Sequence, residues 1–334
     1  MYHGIINVYK EAGFTSHDVV AKLRGISRQK KIGHTGTLDP DAVGVLPVCL
    51  GSATKVCDML TDRTKEYVAR FRLGLVTDTQ DISGKVLKEQ EVTADREEIL
   101  SVIRSFVGEQ KQVPPMYSAL KVNGKKLYEL AREGKEVERK ARDITIYELE
   151  VLKEEYPEYE IRVVCSKGTY IRTLCHDIGE RLGCGGVMTH LVRTRVGEFC
   201  IEDTYTLSQL EQLAAENRLQ EAVAPIERLF EKLPALKVKA EGEKPLSNGN
   251  QLKVREVELF RAEKTEMPAE RSEKSSEKLA EDSSEELSAV REKKAGFWQD
   301  GRQFRIYNGE EQFCCIYQYE SARRLLCPVK MFFQ

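Results

Sequence analysis

The feature that most limits what this chain can fold into is a long stretch with almost nothing to bury. Residues 261–294 carry eight basic and ten acidic residues, with no glycine and no aromatic side chain. Such a composition removes too little apolar surface from water to offset the entropy of ordering, which predicts a disordered or loosely helical insert. The 334-residue chain is in any case too long for one ordinary core. Residues 235–252 before the insert, and the runs 297–298, 304–307, 313–319 and 325–333 after it, read as short strands. Asp300-Gly301 and Asn308-Gly309 supply turns between them. The expected layout is a larger domain over 1–234 and a small all-β domain over 235–334, interrupted by the insert.

The larger part mixes helices and strands without a regular alternation, so it reads as α+β and not as a doubly wound sheet. Residues 5–9 form a short strand, and Ser16 is placed to cap a helix carrying Val19, Val20 and Leu23 on one face. Gly33, Gly36, Pro40 and Gly44 within twelve residues mark a loop, followed by an apolar run over 45–50 and a helix from 52 to about 60. Tyr67, Ala69, Phe71, Leu73 and Leu75 alternate in the manner of a strand. Thr93 is placed to cap a helix over 94–107 that Gly108 stops. Pro114-Pro115 opens a long excursion over 114–142, with an Asn123-Gly124 turn and a short helix over 127–132. Strands over 143–153 and 158–165 precede helices over 171–182, 207–219 and 225–233.

Several chemistries are excluded. There is no Gly-x-x-x-x-Gly-Lys-Ser/Thr loop and no Gly-x-Gly-x-x-Gly after a strand, which argues against P-loop and nicotinamide-binding folds. The five histidines show no His-x-x-x-His spacing for a zinc site. Nine cysteines with no Cys-x-x-Cys pair, in a chain without a recognisable export signal, favour reduced thiols and a cytoplasmic location. Cys175-His176-Asp177 is no thiol dyad, because adjacent helix residues point in different directions. No run of eighteen apolar residues offers a membrane span.

Lys+Arg 52 against Asp+Glu 54 gives a net charge of −2, and without the insert 44 bases face 44 acids. A nucleic-acid face must then be a local patch. Two candidates stand out. Lys22, Arg24, Arg28, Lys30 and Lys31 occur with no acid between Val19 and Gly33, and residues 121–142 hold eight bases and four acids. A solvated helix face is the plainer reading of either, but the first leads directly into Gly33-His34-Thr35-Gly36-Thr37-Leu38-Asp39-Pro40. There, glycines allow close ligand approach and Pro40 biases Asp39 toward an extended backbone. Two readings of Asp39 stand on pattern alone: an Asx-turn that caps its own backbone, or an acid beside a phosphate-bearing ligand.

The longer run Gly33-His34-Thr35-Gly36-Thr37-Leu38-Asp39-Pro40-x-Ala42-x-Gly44-x-Leu46-Pro47 resembles the signature of the TruB family of tRNA pseudouridine synthases. The resemblance continues in Lys65-x-Tyr67, Thr77-Asp78-Thr79-x-Asp81-x-x-Gly84, Pro115-x-Tyr117-Ser118-Ala119-x-Lys121 and Gly168-Thr169-Tyr170-Ile171-Arg172. It spans roughly residues 4–225, in order. One departure is the opening Lys10-Glu11-Ala12-Gly13-Phe14-Thr15-Ser16, where the family's usual proline after the lysine is missing. The insert is another.

The resemblance implies a pseudouridine synthase fold, a mixed and mainly antiparallel sheet with flanking helices, plus a PUA-like C-terminal β-barrel. It implies isomerisation of the T-loop uridine, position 55 in tRNA numbering, with Asp39 as the catalytic carboxylate. Arg172 would pair with Asp39, Tyr67 would lie against the flipped uracil, Tyr170 and Leu191 would line the pocket, and His34 would fill the gap left by the extruded base. No metal and no cofactor are expected. The partner expected is the tRNA T arm, gripped by Lys22–Lys31 and the 114–142 excursion, with a monomer needing no protein partner. Alternatives are a guide-dependent RNA pseudouridylase and a tRNA-folding chaperone without catalysis.

Overall fold

The computed structural model describes residues 1–122, 124–260 and 297–333. The charged insert and Asn123 lie outside them. The described chain divides into two compact units, Met1–Ala224 and Pro225–Gln334.

The first unit is built on a nine-stranded sheet. Its main path runs Gly4–Lys10, Val43–Leu50, Gly186–Val196, Lys65–Leu73, Glu158–Cys165, Arg142–Glu155 and Gly108–Gln112. Every pairing along it is antiparallel except one. Gly186–Val196 runs parallel to Val43–Leu50, with Val192 opposite Val43 and Arg193 opposite Gly44. This is the mixed, mainly antiparallel α+β sheet expected. Ile6, Val8, Leu46 and Val48 pack beneath the Ser16–Ser27 and Leu207–Ala215 helices. Phe71, Ile161 and Val163 pack beneath Arg96–Arg104 and Ile171–Arg181.

The lone parallel junction is crowded. Gly44 adopts φ +104°, and a Cβ there would sit 2.3 Å from the Arg193 carbonyl oxygen. Glycine is required on both counts.

Three local expectations are corrected. Thr15, not Ser16, caps the first long helix: its side chain accepts from the Asp18 N–H, and Asp18 reaches back to the Thr15 N–H at 2.8 Å. Ser16 is left free to accept from the Leu38 N–H at 3.0 Å. Asp95, not Thr93, caps Arg96–Arg104, because its carboxylate reaches the Glu98 N–H at 2.9 Å. The run after Leu50 begins as a 3-10 helix over Gly51–Val56 and becomes α-helical only over Cys57–Thr61.

The second unit holds a six-stranded, barrel-like sheet in the order Leu252–Lys253, Leu325–Met331, Phe313–Glu320, Gln303–Tyr307, Ala235–Val238 and Val257–Leu259, consistent with a PUA-like domain. Phe297 and Trp298, read as a strand from sequence, lie outside these strands and serve as packing, their rings 5.4 and 5.2 Å from Phe304. Residues 225–233, expected in the first domain, belong to the second. There Phe230 places its ring 6.0 Å from Phe313 and 5.9 Å from Phe332.

Candidate functional site

Asp39 stands four residues before the strand that enters the parallel junction, so the loop carrying it is fixed by that junction. Lys10 fastens it further. Its fully buried ammonium donates to the carbonyls of Glu11, Pro40 and Ala42 at 3.0, 2.8 and 2.6 Å. Burial pulls this lysine down to about 8, with Asp39 and Asp41 pulling the other way. The Gly13 N–H also donates to the Pro40 carbonyl at 3.0 Å. With Ser16 holding Leu38, the backbone on both sides of Asp39 is pinned.

The Asp39 carboxylate faces Arg172, at the start of the Ile171–Arg181 helix. Arg172 Nε lies 3.0 Å from Asp39 Oδ2, and a terminal nitrogen donates to Oδ1 at 3.1 Å. Its other donors go to Asp81 Oδ2 at 3.1 Å and to the carbonyls of Thr79 and Tyr117 at 3.1 and 2.9 Å. The two terminal nitrogens therefore donate four hydrogen bonds while Nε adds an ion-pair contact with Asp39, a spread of donors that only arginine offers. The Arg172 side chain is 6% exposed and that of Asp39 39%, so the pair is sheltered from behind and open in front. Burial raises the Asp39 carboxyl above its ordinary value and the Asp81 carboxylate adds to this, while Arg172 and Lys10 oppose it. The Asx-turn reading fails, since the carboxylate binds Arg172 and not its own backbone.

Tyr67, at the centre of the sheet, is paired with Arg193 on the neighbouring strand. Burial pushes its hydroxyl above the usual phenol range, with the Arg193 guanidinium acting in the opposite direction. Arg193 is buried, donates to the Val45 carbonyl at 2.7 Å and is pulled below its ordinary value by desolvation. Leu191 shares an apolar cluster with Leu38, Ala42 and Tyr67. Tyr170 precedes the Arg172 helix and is half-buried. His34 lies against His17, ring centroids 5.3 Å apart and nearly perpendicular, and burial lowers its pKa so that the neutral imidazole is favoured.

The structure thus joins Asp39 to Arg172, sets Tyr67 and Leu191 in one cluster, and gives His34 a separate partner in His17. Sequence reasoning missed three supporting groups. Asp81 and Lys10 sit inside motifs already noted, but nothing in their spacing shows that one binds Arg172 and the other the Asp39 loop. Arg193 has no sequence signal at all: Arg195, two residues on, is 40% exposed and pairs with Glu66 at 2.8 Å.

This arrangement lies within a recognised family. A TruB family pseudouridylate synthase N-terminal domain matches residues 24–171, and a tRNA pseudouridylate synthase B C-terminal domain matches residues 172–231. The chain belongs to the TruB family. Among its relatives, tRNA pseudouridine synthase B of Lachnoclostridium phytofermentans is 47% identical over 338 residues, 99% of each chain. The Clostridium tetani protein of the same name is 49% identical over 252 residues, 75% of this chain and 86% of that one. Among solved structures, a Cbf5-Nop10-Gar1 complex matches with a TM-score of 0.66 at 28% identity, covering 99% of this chain and 85% of that one. Asp39 and Arg172 fall on either side of the boundary between the matched domains, and the ion pair joins them.

Proposed function

We propose that this protein is a tRNA pseudouridine synthase that isomerises the T-loop uridine at position 55 of tRNA, with Asp39 as its catalytic carboxylate. The observation that carries the reading is the Asp39–Arg172 pair, an acid held at both oxygens by a buried guanidinium yet open on its far side. The reaction breaks the uridine N1–C1′ bond and forms a C5–C1′ bond. N1 gains a proton and C5 loses one, so substrate and product have equal mass. An ionised carboxylate near C1′ serves either as nucleophile or as the base of a glycal route. Tyr67 lies against the extruded uracil, Tyr170 and Leu191 line its pocket, and His34 takes the vacated place in the stack. Lys22, Arg24, Arg28, Lys30 and Lys31 are all exposed, as phosphate contacts must be.

The test uses purified protein alone with a tRNA transcript tritiated at uridine C5, since product formation releases that tritium. Asp39→Asn abolishes release while RNA affinity changes less than about tenfold, because phosphate contacts dominate affinity. Appreciable turnover by the Asn variant refutes the assignment. Activity that appears only with a second RNA or protein favours a guide-dependent enzyme, and binding without release favours a chaperone.

A further inference from the structure

Gln112 ends the Gly108–Gln112 strand at the root of the 114–142 segment, and it is 3% exposed. Its side-chain oxygen accepts from the Tyr170 N–H at 2.8 Å, and its side-chain nitrogen donates to the Tyr170 carbonyl at 3.0 Å. Tyr170 is the N-cap residue of the Ile171–Arg181 helix, and its own side chain makes no cap bond. A helix start leaves N–H groups without partners. Here one is satisfied by an amide 58 residues away in sequence. Two residues further on stands Arg172. The 114–142 segment itself reaches Arg172 through the Tyr117 carbonyl at 2.9 Å. The segment proposed to grip RNA is therefore tied to the Arg172 guanidinium through Tyr117, while its root is tied through Gln112 to the backbone two residues before Arg172.

We propose that Gln112 is a positioning residue for the isomerisation: its buried amide sets the start of the Ile171–Arg181 helix so that Arg172 meets Asp39 side-on. This rests on the reading of Asp39 as the catalytic carboxylate. The chemistry is specific, because the site needs one donor and one acceptor in a planar group. Methionine has a similar length and supplies neither hydrogen bond. An ionised glutamate accepts from the N–H but sets a lone pair against the carbonyl, whereas a protonated glutamate restores both bonds. Burial beside a carbonyl oxygen favours the protonated form.

The experiment takes the full chain with Gln112→Met and Gln112→Glu. It measures single-turnover rates on a T-arm stem-loop across pH, RNA affinity by filter binding, and melting temperature. Gln112→Met loses about tenfold to a hundredfold in rate at every pH, as a displacement near 1 Å at the reacting groups would cause. Its affinity stays within about threefold, since the residue is buried and touches no RNA. Gln112→Glu keeps a near wild-type rate on the acid side and falls relative to wild type as pH rises and the new carboxyl ionises. A merely structural role lowers the melting temperature without that pH-dependent rescue. A wild-type rate in Gln112→Met, a loss of affinity in step with rate, or no alkaline fall in Gln112→Glu overturns the proposal. If Gln112→Met does not fold, the pH profile of Gln112→Glu still decides. Asp39→Asn, run alongside, separates the two readings: an active Asn variant removes the Asp39 assignment, whereas an inactive one beside an unaffected Gln112→Met removes only the role of Gln112.

Discussion

Arg172→Gln isolates what the guanidinium does, because one side chain serves two carboxylates and two carbonyls. In the native protein burial raises the Asp39 carboxyl and Arg172 opposes that rise. Without the cation the carboxyl rises further. The chemistry needs the ionised form, so activity falls as pH drops through the Asp39 value, and in the variant that fall begins at higher pH. A neighbouring opposite charge lowers a carboxyl by at least about one pH unit, so the acid limb of the rate profile moves toward neutrality by about that much. Stability changes too. Removing one partner of a buried pair costs about 3–5 kcal/mol. Asp81 is 16% exposed, but Asp39 is 39% exposed and partly screened, which places the loss near 3 kcal/mol. At about 2–4 °C per kcal/mol for a unit of this size, the melting temperature drops by about 6–12 °C. Single-turnover pH profiles well below the melting temperature, together with a thermal melt, read the two effects separately. Arg172→Lys retains the charge but not the fork, so it recovers most of the acid limb and less of the stability. An acid limb unmoved in Arg172→Gln would show that Asp39 is not held by this pair during catalysis.

Other outcomes follow from the same geometry. Tyr67→Phe keeps the ring against the base and loses product formation if the hydroxyl handles the C5 proton; tritium release as fast as wild type reduces Tyr67 to a packing surface. Gly44→Ala strains a φ of +104° and drives a Cβ to 2.3 Å from the Arg193 carbonyl oxygen, so denaturant unfolding should show a loss of about 2 kcal/mol or more. An isolated T-arm stem-loop should react within about tenfold of full tRNA, or roughly 1.4 kcal/mol in barrier. Intact tRNA should bind with the steeper salt dependence, measured by filter binding at two salt concentrations, and equal slopes would count against extra phosphate contacts.

Local chemistry was legible in the linear chain wherever a residue's neighbours in sequence are also its neighbours in space. The strand alternation at Tyr67, Ala69, Phe71 and Leu73, the glycine-rich loop at Asp39 and the helix after Tyr170 are of this kind, and each is found where the pattern puts it. Caps were misread by a residue or two because Thr15 and Ser16, or Thr93 and Asp95, offer equivalent oxygens, and only the path of the chain selects one. At Ser16 the choice is made by Leu38, 22 residues away, which takes the hydroxyl that would otherwise cap the helix. The site itself is assembled by long-range register. Arg172 meets Asp39 across 133 residues and Asp81 across 91, and Gln112 meets Tyr170 across 58. Arg193 is buried and Arg195 only half-buried because a register shift and a parallel crossing occur at that point of the strand. A sequence specifies which groups are available and how the chain bends nearby. Which donor faces which acceptor in a dry interior depends on strand order and register, and those are fixed only when the whole sheet closes around its core.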